Sequence, residues 1–129
     1  EHLVVVGRHG DALGPDDRNR PLQAAALAEL DVARTREERL RERLSADILS
    51  ARSALDTAER QARLAGERAA MLRERANLID KSFRAGESAL PDLLRALAAA
   101  AHAESALARQ TAALGLARAR LNQTLGILP

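Results

Sequence analysis

Apolar residues recur along the chain in alternating steps of four and three. Between Ala51 and Phe83 they fall at Ala51, Leu55, Ala58, Ala62, Ala65, Ala69, Leu72, Ala76, Ile79 and Phe83. This is a heptad repeat sustained over more than four heptads, and it predicts a long helix with one apolar seam. Upstream, Ala33, Leu40, Leu44 and Ile48 continue the seam, with Glu37 in an apolar slot. The two successive four-residue steps into Ile48 form a stutter, which locally unwinds a supercoil. From Leu22 to about Ser82 there is no proline, and Gly66 is the one glycine. A helix of ~60 residues would run for ~90 Å at 1.5 Å per residue, more than a compact domain of this size holds.

A second helix is predicted after a break. Phe83-Arg84-Ala85-Gly86-Glu87-Ser88-Ala89-Leu90-Pro91 carries a glycine suited to a left-handed helix end, a serine placed to cap the next helix and a proline for its opening turn. The helix then runs to about Leu125. One stripe passes through Leu93, Leu97, Ala100, Glu104, Leu107, Thr111, Leu114, Arg118, Leu121 and Leu125. Beside it lies Ala96, Ala99, Ala103, Ala106, Gln110, Ala113 and Ala117. Two adjoining stripes predict neighbours on two sides, more than a lone hairpin provides.

The N-terminus reads differently. Leu3-Val4-Val5-Val6-Gly7 predicts a short β segment, because β-branched residues favour extended backbone. Gly10, Gly14, Pro15, Asp16 and Asp17 punctuate a connector, and Asn19 has the chemistry of an N-cap with Pro21 in the first turn. The predicted fold class is therefore all-α: a long antiparallel helical hairpin of coiled-coil type with a short N-terminal β segment. Residues 1–18 form the β segment and connector. Residues 19–129 form the hairpin, with a helix over about 20–82, a tip at 83–91 and a helix over about 91–125.

Composition agrees with extended helices. Ala makes up roughly a fifth of the 129 residues, well above ordinary usage. One Phe and no Trp or Tyr leave little with which to fill a globular centre. The pI of about 10.3 exceeds what the net charge of +2 suggests. Lys81 is the single lysine and there is no Cys or Tyr, so little titrates between neutral and strongly basic pH and a small arginine excess lifts the pI. Acidic and basic residues interleave, as in Glu37, Glu38, Arg39, Arg41, Glu42 and Arg43, and no basic block marks a nucleic-acid face. The N-terminus lacks the basic region and apolar stretch of a secretory signal, and no run of ~18 uncharged apolar residues predicts a membrane-spanning helix.

Candidate chemistry is sparse. His2, His9 and His102 are far apart and have no ligand partner at helical spacing, so no metal or cofactor is predicted. No phosphate loop or nucleophile motif is present, and the chain does not read as an enzyme.

The run Phe83-x-x-Gly86-Glu87-x-x-x-Pro91-Asp92-Leu93-Leu94-x-Ala96 and the ending Ala119-Arg120-Leu121-Asn122-Gln123-x-Leu125-Gly126-x-Leu128-Pro129 resemble the TolC-like outer-membrane efflux family. The connector Gly14-Pro15-Asp16-Asp17-Arg18-Asn19-Arg20-Pro21-Leu22 resembles the strand-to-helix junction of its heavy-metal-efflux (CzcC-like) branch. The resemblance implies a trimeric channel, with a β-barrel in the outer membrane continued by a barrel of helices through the periplasm. It implies that the tip, here Phe83, Gly86, Ser88, Asp92 and Arg95, gates the entrance and meets a periplasmic adaptor protein. Some family members carry a basic residue at the position of Ser88 and an acidic one at that of Arg95, a pattern this chain lacks. Family members contain two such repeats and four strands per subunit, so the chain reads as a C-terminal repeat or a truncated member whose barrel strands are missing. The exported cargo would be small solutes or metal ions, driven by an inner-membrane pump. Two other readings remain at this level: the helical hairpin of a periplasmic adaptor, and a structural coiled-coil protein of the cytosol.

Overall fold

The computed structural model describes residues 14–127, and the predicted β segment at residues 3–7, with His2 and His9, lies outside them. Two helices account for nearly all of the described chain: α1, Pro15–Arg84, and α2, Leu90–Thr124. The described chain divides between Glu42 and Arg43 into two units.

In the first unit, α1 starts several residues earlier than the Asn19 cap predicts. The Gly14 carbonyl accepts from the Asp17 N–H at 3.0 Å and the Arg18 N–H at 3.3 Å, which opens the helix at Pro15. A proline at a helix start forfeits no bond, and Asp16 and Asp17 place negative charge against the positive end of the helix dipole. Asn19 is therefore an interior residue, and Pro21 lies inside the helix. As the seventh residue of α1 it lies past the first turn, and having no N–H it leaves the Asp17 carbonyl without the i→i−4 bond of a regular helix. Leu22, Leu27, Leu30, Val32 and Leu40 are all exposed, as is Glu37 in its apolar slot.

In the second unit, α1 and α2 pack as an antiparallel hairpin. Every predicted seam position from Ala51 to Ile79 is buried or half-buried, and Phe83 is 36% exposed. Ile48 is half-buried, whereas Leu44 before it is exposed. The stutter thus falls where the seam loses its cover. The centre of the interface is Ala76, Ala96 and Ala100, with Leu72 and Ile79 packed against them. Alanines at the contact let the two backbones approach closely, and Leu72 and Ile79 fill the spaces beside them.

On α2 the covered face differs from either predicted stripe. It runs Leu93, Ala96, Ala100, Ala103, Leu107, Gln110, Leu114, Ala117, Leu121 and Thr124, all buried or half-buried, in alternating steps of three and four. Members of both stripes thus form one seam, and Leu97, Thr111 and Arg118 remain exposed. With alanine at so many positions several heptad phases are available, and the register against α1 decides which is filled.

Candidate functional site

The tip is built by the way α1 stops. The Gly86 N–H donates to the Phe83 carbonyl at 2.9 Å, and the Glu87 N–H donates to the Ser82 carbonyl at 2.9 Å. This pair of bonds is a Schellman motif, and it requires a left-handed residue at Gly86, whose φ is 78°. Lys81 and Arg84 in the last turn complement the negative end of the dipole. The same arrangement ends α2: Gly126, with φ 71°, donates to the Gln123 carbonyl at 3.1 Å, and Ile127 donates to that of Asn122 at 2.9 Å.

Ser88 does not cap α2. The cap position is Ala89, in extended conformation and without a side-chain hydrogen bond. The Ser88 hydroxyl instead donates to that of Ser82, tying the far end of the connection to the last turn of α1. Pro91 occupies the first turn as its fixed φ favours, and Asp92 places a carboxylate in that turn, against the positive end of the helix dipole. Arg95 donates from Nη2 to Asp92 Oδ1 at 2.7 Å, both groups being exposed.

Of the tip residues read from the sequence, Ser88, Asp92 and Arg95 line one open groove of about 680 Å³, together with Leu72, Arg75 and Ile79. Phe83 and Gly86 stand outside that lining. Sequence reasoning missed Arg75. Its signal was its place one residue before seam position Ala76, which sets it on the flank of the interface. A neighbouring groove of about 500 Å³ shares Leu72 and Ala99 and adds Leu64, Arg68 and His102. This side of the hairpin therefore has an apolar floor, with Arg68 and Arg75 along the α1 rim and the Asp92–Arg95 pair on the α2 rim.

The opposite flank carries the cross-helix ion pair. Arg73 donates from Nε at 2.7 Å and from Nη2 at 2.5 Å, both bonds ending on Glu104 Oε1. No other ion pair among the described residues joins α1 to α2; the rest lie within one helix at three- or four-residue spacing. Among the described residues no group of His, Asp and Glu is arranged to hold a metal ion. No described helix is long and apolar enough to cross a membrane.

The face of α2 turned away from α1 has its own pattern. Leu94, Ala98, Ala101, Ser105, Ala108, Ala112, Gly115, Ala119 and Asn122 follow one another in steps of four and three, and all are exposed. None is charged. The outward face of α1 presents Asp56, Arg60, Arg63, Glu67, Glu74 and Lys81 instead. α2 thus carries two heptad seams, one filled by α1 and one open. Comparison with protein-family models, with curated proteins and with solved structures found no match for this chain.

Proposed function

We propose that this chain is a subunit of an oligomeric efflux channel of the TolC-like kind, acting as a packing element of a helical conduit rather than as an enzyme. The observation that carries the reading is the second, unfilled heptad seam on α2, from Leu94 to Asn122. A helix with two seams is suited to a wall in which each helix has a neighbour on either side. The broken tip supports the same reading, because its Schellman turn and first-turn Pro91-Asp92 form at the residues that carry the family resemblance. In this reading three copies assemble in the periplasm and continue into the outer membrane through barrel strands. The tip residues Phe83, Gly86, Ser88, Asp92 and Arg95 meet a periplasmic adaptor, and small solutes or metal ions pass inside without a cofactor.

The test is fractionation of source cells with an antibody raised against the hairpin. Recovery with the outer membrane, joined by increased sensitivity to exported solutes on gene deletion, supports the channel. Recovery in the soluble cytosolic fraction overturns it.

A further inference from the structure

We propose that the opening stretch of α1, from Asp16 to Glu42, unfolds locally while the hairpin stays folded, and that it thereby presents a processing site at which an arginine-specific protease releases the hairpin intact. This rests on the packing of α1 and not on the channel reading.

Packing is the first argument. Every side chain from Asp16 to Asp47 is exposed, Leu22 at 70% and Leu40 at 65% among them. Most helical stability in proteins comes from burying an apolar face, and this stretch buries none. From Ile48 onward the seam of α1 is covered, so opening a turn there gives up buried contacts. The division of the chain between Glu42 and Arg43 falls close to that change.

Local chemistry weakens the same stretch. Asp31, Val32 and Thr35 are poor helix formers, and Pro21 withholds one backbone bond. The Thr35 hydroxyl donates to the Asp31 carbonyl at 2.9 Å, a back-bond that slightly destabilises a helix. Among the described residues the ion pairs of this stretch are Arg20–Asp17 at 3.7 Å and Arg41–Glu37 at 2.6 Å, both exposed and screened by water. Glu38 with Glu42, and Arg39 with Arg43, set like charges four residues apart. The hairpin nucleates α1, so the stretch frays from its N-terminal end instead of melting with the packed turns.

The sequence places the cleavable bonds where this opening occurs. Arg34, Arg36, Arg39, Arg41 and Arg43 fall within ten residues. A protease cleft holds its substrate extended, so a helix is cut from its opened state and the rate follows the population of that state. Hydrolysis after Arg43 adds one water across the peptide bond, leaving a carboxylate on Arg43 and an amino group on Leu44. The rival site is the hairpin tip, where Lys81 and Arg84 precede the connection, because loop tips are commonly nicked. That connection spans only 85–89 and is closed by the Schellman bonds and the Ser82–Ser88 contact. Extending it into a cleft requires unwinding turns of α1 that are packed at Ala76 and Ile79.

Limited trypsin digestion of the full chain, with mass spectrometry of the earliest fragments, tests the proposal. Among the bonds after arginine and lysine from Arg34 to Arg120, the five up to Arg43 are expected to break about tenfold or more faster than the rest. The remaining fragment is expected to keep the helical circular dichroism of the hairpin. Val32→Ala combined with Thr35→Ala raises helix propensity and should slow the cuts after Arg41 and Arg43 roughly fivefold, with no change in urea-unfolded protein. First cleavage after Lys81 or Arg84, or at any other of these bonds beyond Arg43, overturns the proposal. A double variant cut as fast as the wild type overturns it as well. Neither result bears on the channel reading, which cell fractionation tests separately.

Discussion

Arg73 and Glu104 join α1 to α2 through two hydrogen bonds that end on one carboxylate oxygen, Nε at 2.7 Å and Nη2 at 2.5 Å. Both side chains are nearly half exposed, at 42% and 46%, so water screens the pair. Such pairs stabilise by at most about 1 kcal/mol. Because it links one rung of α1 to one rung of α2, it favours one of the heptad phases that an alanine seam leaves open.

Reversing one charge of this pair tests that role. Glu104→Arg places two guanidinium groups on one rung and is expected to cost about 1 kcal/mol in urea unfolding, and Arg73→Glu with Glu104→Arg to recover most of it. A double variant no more stable than the worse single variant would show that the pair contributes nothing to register.

Gly66 sits inside α1 at the interface. A Cβ built there would lie 3.7 Å from Leu107 Cδ1, an ordinary contact. Gly66→Ala should gain helix propensity without a clash and raise stability by about 0.5–1 kcal/mol. A loss of stability in chemical denaturation would place the backbones closer together than described.

Gly86→Ala should act in the opposite direction. Its φ of 78° is strained for any residue with a Cβ, although no atom stands in the way. A cost of about 1–2 kcal/mol is expected, with faster amide exchange at Glu87 as the Schellman bonds weaken. Unchanged exchange would mean that the turn is set elsewhere, for example by the Ser82–Ser88 hydroxyl contact.

Ala76 and Ala100 are completely covered by their neighbours. Ala100→Leu would force the helices apart and should destabilise by about 1–3 kcal/mol. Ala108→Leu adds the same atoms on the outward face and should leave the unfolding midpoint of the isolated hairpin nearly unchanged. Equal effects at the two positions would refute the assignment of faces.

The all-helical hairpin was legible from spacing alone. Steps of four and three identified the α1 seam residue by residue, because the phase holds without a break from Ala51 to Phe83 and leaves Met71 and Leu78 outside it. On α2 alanine satisfies several phases at once, so periodicity did not reveal whether Leu97 or Ala96 follows Leu93 into the interface. The tip was legible where a residue is conformationally unusual, at Gly86. It was misread where chemistry offered alternatives: Ser88 suits an N-cap, yet the Ser82 hydroxyl draws it away and Ala89 takes the cap position. Asn19 was displaced likewise, since Gly14 and Pro15 open α1 first. The open seam from Leu94 to Asn122 emerged only when α1 had claimed the other face.

Sedimentation velocity of the wild-type chain beside Ala108→Arg is the most direct test that this molecule is a packing subunit. The substitution places a charge in the centre of the open seam and touches nothing in the hairpin core. The wild type is expected to sediment as an oligomer at micromolar concentration, and Ala108→Arg as a monomer with the same helical circular dichroism. Identical monomeric sedimentation of the two proteins over the full concentration range would contradict the account.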